Sequence, residues 1–198
     1  MIIAQPWWVN LSLLVPFAVF FLWRKNGLAL SIRTLVALLL FAGAFGFVEA
    51  VVVVYLRAAI GLLPGYGGTP ADVARLSSEI YQRAQIHSDM PESLLRVEAF
   101  REFATMVMLV GVALLSAKSL PERGAVFLWS FAIWDLAYYL GLWLTVGWPP
   151  SLLSPDVLFL IPVPWLAQVW LPVVVSALTL LAIALVRNPD FSSHSEIV

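Results

Sequence analysis

The run Leu35–Leu63 constrains this chain more than any other feature. It is apolar enough to lie in lipid, yet it carries Glu49 and Arg57. A charged side chain at the centre of a bilayer helix costs roughly 2.5–3.5 kcal/mol on insertion scales, so each such charge needs a partner, a use, or both. At about 1.5 Å per residue the run is also long enough to require tilt or a protruding end.

Four further apolar runs read the same way: Trp7–Trp23, Val97–Ala117, Ala125–Val146 and Trp165–Val186. With 62% hydrophobic and only 12% charged residues and a mean hydropathy of +0.93, the chain falls outside the soluble range. Soluble domains lie near ~45–50% apolar and ~25% charged. The expected fold is an all-α integral membrane protein, multi-pass, with one transmembrane helical domain of five spans over residues 1–187. Most of the tryptophans fall near span ends (Trp7, Trp8, Trp23, Trp148, Trp165), where an aromatic belt places them.

Charge sets the expected orientation. Arg24, Lys25, Arg33, Lys118, Arg123 and Arg187 all fall on one side of the spans, which makes that side cytoplasmic. The amino terminus is then outside the cell membrane (the inner membrane of a two-membrane cell) and the carboxyl terminus inside. Met1–Asn10 holds no Lys or Arg, and no small-x-small cleavage site follows the apolar run, so the first segment reads as a retained helix.

Two connections stand out. In the external stretch 64–96, Thr69-Pro70-Ala71-Asp72 reads as a helix start, and Val73, Leu76, Ile80 and Ala84 recur at helical spacing, an amphipathic surface helix. Asp89-Met90-Pro91-Glu92 is a second start, whose helix runs into the third span. Trp148–Pro164 carries five prolines and an apolar run, Val157–Ile161, too short to cross a bilayer. With Ser154-Pro155-Asp156 as its start, it predicts a short re-entrant or interfacial helix. Residues 188–198 form a polar cytoplasmic tail.

The candidate site follows from spacing. Glu49 shares a helix face with Ala42, Gly46 and Ala50, small residues that let another helix approach closely. Glu98, Arg101, Glu102 and Thr105 share one face of the third span. Asp135 lies near the middle of the fourth span with Tyr138 and Tyr139 one turn outward, and Asp156 lies on the proline-rich stretch. All are expected to converge in the outer half of the membrane, where five carboxylates meet only Arg57 and Arg101. Structural ion pairing accounts for part of such a set. The surplus of acids calls for protons or a cation.

Chemistry narrows the classes. With no cysteine there is no disulfide, thiolate metal site or iron–sulfur cluster, and His87 and His194 in polar segments exclude haem held between spans. A net charge of −1 gives no footprint for nucleic acid. A divalent cation (Mn, Mg or Fe) on Glu49, Glu98, Glu102 and Asp135 is the expected cofactor if there is one. The expected function is a membrane-embedded enzyme or binding protein for an amphiphilic, lipid-like substrate. Glu49, Glu98, Glu102 and Asp135 then act as acid, base or ligand groups, and Arg57, Arg101, Tyr138, Tyr139 and Asp156 contact the substrate. The alternative is a cation- or proton-coupled carrier using the same acids.

Overall fold

The computed structural model describes residues 4–59 and 92–188; of residues 57–59 and 92–94 it describes the backbone only. The external amphipathic helix, the Thr69 start, the Arg57 side chain, His87 and the tail with His194 lie outside the described residues.

Strand β1 (Ala4–Gln5) leads into a 3-10 segment, Trp7–Leu14, and then helix α1, Val15–Trp23. Asn10 explains why the chain does not enter an α-helix at once. Its amide nitrogen donates to the carbonyls of Ala4 (3.0 Å) and Trp7 (2.7 Å), and its oxygen accepts from the Ala4 N–H (3.0 Å). Pro16, which has no N–H to lose, then sits at the start of α1.

Three long helices follow: α2 (Ile32–Ala59), α3 (Glu92–Ser116) and α4 (Leu120–Val146). Each is long and apolar enough to cross a membrane. Their ends are written in the sequence. Ser31 caps α2, its hydroxyl accepting from the Thr34 N–H at 3.0 Å. Ser119 and Glu122 form a reciprocal capping box at α4 with Pro121 in the first turn, and Gly147 ends α4 in the left-handed region at φ 68°. Helix α5 (Trp170–Val186) completes the bundle.

The connection between α4 and α5 is not the expected re-entrant helix. Pro155–Phe159 forms strand β2 and Trp165–Gln168 forms β3, in an antiparallel three-stranded sheet of order β1-β3-β2. Ala4 pairs with Ala167, and Asp156 with Ala167 from the other side, with a bulge between Val157 and Phe159. Pro155 suits the first position of an edge strand as well as it suits a helix start. The deciding factor is Trp165–Gln168, which pairs on both edges and satisfies backbone that a short helix between prolines would leave open. The sheet also takes these four residues from the expected fifth span, so α5 begins at Trp170. The fold is thus predominantly helical rather than all-α.

Packing separates two ends. At one end Val19, Leu28, Leu30, Leu35, Ala125, Ile183 and Val186 form a single core. Leu28 N–H donates to Val186 O (3.1 Å) and Asn188 N–H to Leu28 O (3.0 Å), tying the α1–α2 turn to the end of α5. At the other end the sheet packs onto the bundle, Ala4 of β1 and Ala167 of β3 clustering with Val9 and Leu171. Between them α2 and α4 meet along a seam of small residues. A Cβ added at Gly46 would collide with the Trp134 carbonyl oxygen and lie 2.8 Å from the Ala137 Cβ, and one added at Gly141 would lie 2.9 Å from the Ala50 Cβ. The outer surface is apolar: Leu115, Leu120, Phe100 and Leu40 are among the most exposed side chains.

Candidate functional site

Helix geometry brings the acids to one level. Measured from the core that joins Leu28 to Val186, Glu49 on α2, Glu102 on α3 and Asp135 on α4 each lie about 21–26 Å along their helices, at about 1.5 Å per residue. The first helix runs away from that end, the second toward it and the third away again. Asp156 reaches the same region from β2.

Arg101 is the hub. Its Nε donates to Glu98 Oε2 at 2.9 Å and its Nη2 pairs with Glu98 Oε1, a two-point grip within one turn of α3. Its Nη1 pairs with Glu49 Oε1 on α2. The Thr105 hydroxyl, one turn along α3, donates to Glu49 Oε2 at 3.3 Å. Glu49, Glu98 and Thr105 are all buried, while Arg101 keeps 22% of its side chain exposed. The partner of Glu49 is therefore Arg101. The expected face of small residues, Ala42, Gly46 and Ala50, does turn toward another helix, α4.

Glu102 takes a different partner. Its Oε2 accepts the backbone N–H of Leu160 at 2.8 Å, the residue after β2, and the carboxylate lies within electrostatic range of Arg101 and Glu98. This bond fastens α3 to the sheet. Tyr138 also lies within electrostatic range of Arg101 and stacks on Trp134 at 6.2 Å. Trp134 and Phe159 carry the aromatic packing on from there to Phe131.

Asp135 and Asp156 form a second group. Ser176 on α5 donates to Asp135 Oδ2 at 2.8 Å, and the Tyr139 hydroxyl donates to Asp156 Oδ2 at 2.8 Å. The two acids lie within electrostatic range of each other, and the Tyr138 and Tyr139 rings, 5.1 Å apart, join this group to Arg101. All the candidate residues whose side chains are described thus fall into one polar network with two centres.

The network does not gather its acids as a metal site would. Among the described residues no three Asp, Glu or His side chains come together in a way that could hold a metal ion. Glu49 and Glu98 are committed to Arg101, Glu102 to a backbone amide and Asp135 to Ser176. Sequence reasoning missed Ser176 and the Leu160 amide. Ser176 had a signal, since it and Thr179 are the hydroxyl residues one turn apart inside an otherwise apolar helix. The Leu160 amide had none, because its role depends on the strand.

Comparison of the chain with protein-family models, curated proteins and solved structures gives no match.

Proposed function

We propose that this is a five-span membrane protein whose polar network receives the head of an amphiphilic substrate, as an enzyme or a binding protein. The observation that carries the reading is the pairing of Arg101 with Glu49 and Glu98 beneath α3, whose outer face is apolar and exposed at Val97, Phe100, Phe103 and Val107. A polar centre directly behind a lipid-compatible helix suits a ligand that arrives from the bilayer. Length supports the first of the two shorter segments, while α5, with 17 residues, reaches about 26 Å. The 3-10 segment with α1 covers about 29 Å, because a 3-10 helix rises about 2.0 Å per residue, close to a hydrocarbon core of about 30 Å. The basic end is then cytoplasmic, and the network lies in the extracytoplasmic half of the cell membrane.

Within this reading each group has a role. Arg101 fixes Glu49 and Glu98, and its partly exposed guanidinium is the contact offered to an anionic head. Arg57 is the further head-group candidate. Glu102, Glu98 and Asp135 move protons to or from the substrate, with Tyr138, Tyr139 and Asp156 connecting the two centres. A divalent ion could enter only by displacing Arg101 from its carboxylates. The test is lipid mass spectrometry on protein purified in mild detergent. Wild type should retain one amphiphile near one per chain, and Glu102→Gln, which spares both Arg101 pairs, should lose it while staying folded. Wild type with only the bulk lipid mixture would overturn the reading.

The surplus of carboxylates favours one second reading, a proton- or cation-coupled carrier. Ser130 and Thr179, both buried, extend polar groups toward the basic end. Ion flux in proteoliposomes that is abolished by Glu49→Gln would establish it.

A further inference from the structure

The end of the molecule opposite the sheet gathers basic side chains from every segment that meets there. Arg24 and Lys25 follow α1, Lys118 and Arg123 flank the start of α4, and Arg187 follows α5. They share one locality. Gly124 lies against the Trp23 ring, its added Cβ 3.6 Å from the indole, and Gly27 lies against Asn188 in the same way at 3.0 Å. The one described acid at this end, Glu122, accepts the Ser119 N–H in the capping box and leaves the five basic side chains in excess.

The arginines here are held differently from Arg101. Arg123 Nε donates to the Ala117 carbonyl (3.1 Å), Arg187 Nε donates to the Leu30 carbonyl (2.7 Å), and Arg24 lies 4.8 Å from the centre of the Phe21 ring. Carbonyls and a ring face orient a guanidinium without neutralising it. Arg24, Lys25, Lys118, Arg123 and Arg187 have no carboxylate partner among the described residues. A guanidinium fixed at one edge keeps donors for a two-point grip on phosphate oxygens. Beside these charges the surface is apolar, with Phe21, Leu22, Leu115 and Leu120 exposed. Positive, pre-oriented donors next to an acyl-compatible surface match an anionic phospholipid, with its phosphate at the rim and its chains alongside.

We propose that this basic end is a seat for the phosphate head groups of anionic phospholipids. The proposal rests on the membrane reading above and is independent of what the Arg101 network does. It is tested by native mass spectrometry of the delipidated full chain titrated with phosphatidylglycerol or with phosphatidylcholine. Phosphatidylglycerol should bind at least about tenfold more tightly, and Arg24→Gln and Arg123→Gln should each weaken it about fivefold, the effect of one surface charge. Arg123→Lys should weaken it less than Arg123→Gln, and Arg96→Gln, at an exposed arginine near the far end of α3, should leave the preference intact. Thermal unfolding of each variant confirms that it is folded; Arg24, whose contact is a ring face, can be changed without removing a hydrogen bond that holds the backbone.

Three results would overturn the proposal. They are equal affinity for the two lipids, a preference that survives both glutamine variants, or a preference lost only in Arg96→Gln, which places the lipid at the other end. Inorganic phosphate that displaces the lipid at equal concentration marks a free-phosphate site and equally defeats the lipid assignment. A chain that binds neither lipid and leaves the membrane fraction in alkaline wash fails earlier, at the membrane reading.

Discussion

At the scale of single residues, Arg101 carries more of the structure than any other side chain in the network. It joins α3 to α2 through Glu49 and braces its own helix through Glu98. Removing one member of a buried ion pair leaves the other uncompensated, so Arg101→Gln should destabilise the protein by about 3–5 kcal/mol. Glu49→Gln should cost less, because Glu98 still grips the guanidinium from two points. The double variant should lose less than the sum of the single losses, since each single change already removes the shared Arg101–Glu49 pairing. Unfolding of the three variants in detergent checks this, and strictly additive losses would separate the two side chains energetically. Thr105 belongs to the same unit, although its 3.3 Å bond is long for a hydroxyl donating to a carboxylate. Its contribution should be small beside that of Arg101.

At the scale of elements, the α2–α4 seam and the sheet behave in opposite ways. The seam is set by small residues four apart, so a branched side chain at Gly46 should cost about 2 kcal/mol or more through overpacking. Gly43 on the same helix meets nothing within 4 Å of an added Cβ, so Gly43→Val should leave the melting temperature almost unchanged. Parallel melts of the two variants test whether helix contact, rather than helix propensity, sets the value of Gly46. The sheet is fastened to α3 by the bond from the Leu160 N–H to Glu102. Glu102→Ala should therefore speed hydrogen exchange at Leu160 while β3, paired on both sides, stays protected. Unchanged exchange at Leu160 would show that this bond does not hold the strand. These elements also show what could be read in advance. The helices α2, α3 and α4 were legible because apolar length acts within one helix. The face of Ala42, Gly46 and Ala50 was legible for the same reason. The sheet was not, because Ser154-Pro155-Asp156 begins a strand as readily as a helix, and the choice falls to a partner, Trp165–Gln168, that looked like span. The pairing of Glu49 with Arg101 lies between these cases: spacing put both residues on inward faces, but only tertiary packing could match them.

At the scale of the whole molecule, charge asymmetry predicts which way a membrane-inserted chain would face. Six basic side chains, Arg24, Lys25, Arg33, Lys118, Arg123 and Arg187, surround the core that joins α1, α4 and α5, while the acids of the network lie about 21–26 Å further along the helices. Holding cationic loops on the cytoplasmic side is the stronger determinant of orientation, because acidic residues contribute little to it. The sheet end should then face outward, with the polar network nearer that surface. The absence of cysteine makes this directly measurable, since a single introduced cysteine is the only thiol in the chain. Asn26 and Ser151 are both exposed and lie at opposite ends. A membrane-impermeant maleimide should label Ser151→Cys in intact cells and label Asn26→Cys only after the membrane is opened. The reverse pattern would invert the protein and move the Arg101 network to the cytoplasmic half. Labelling of both sites in intact cells would place both ends on the outside and remove the basis for counting five spans. The orientation also fixes which leaflet the basic end meets. If Asn26 is inside, Arg24, Arg123 and Arg187 sit at the leaflet whose surface carries the anionic lipids.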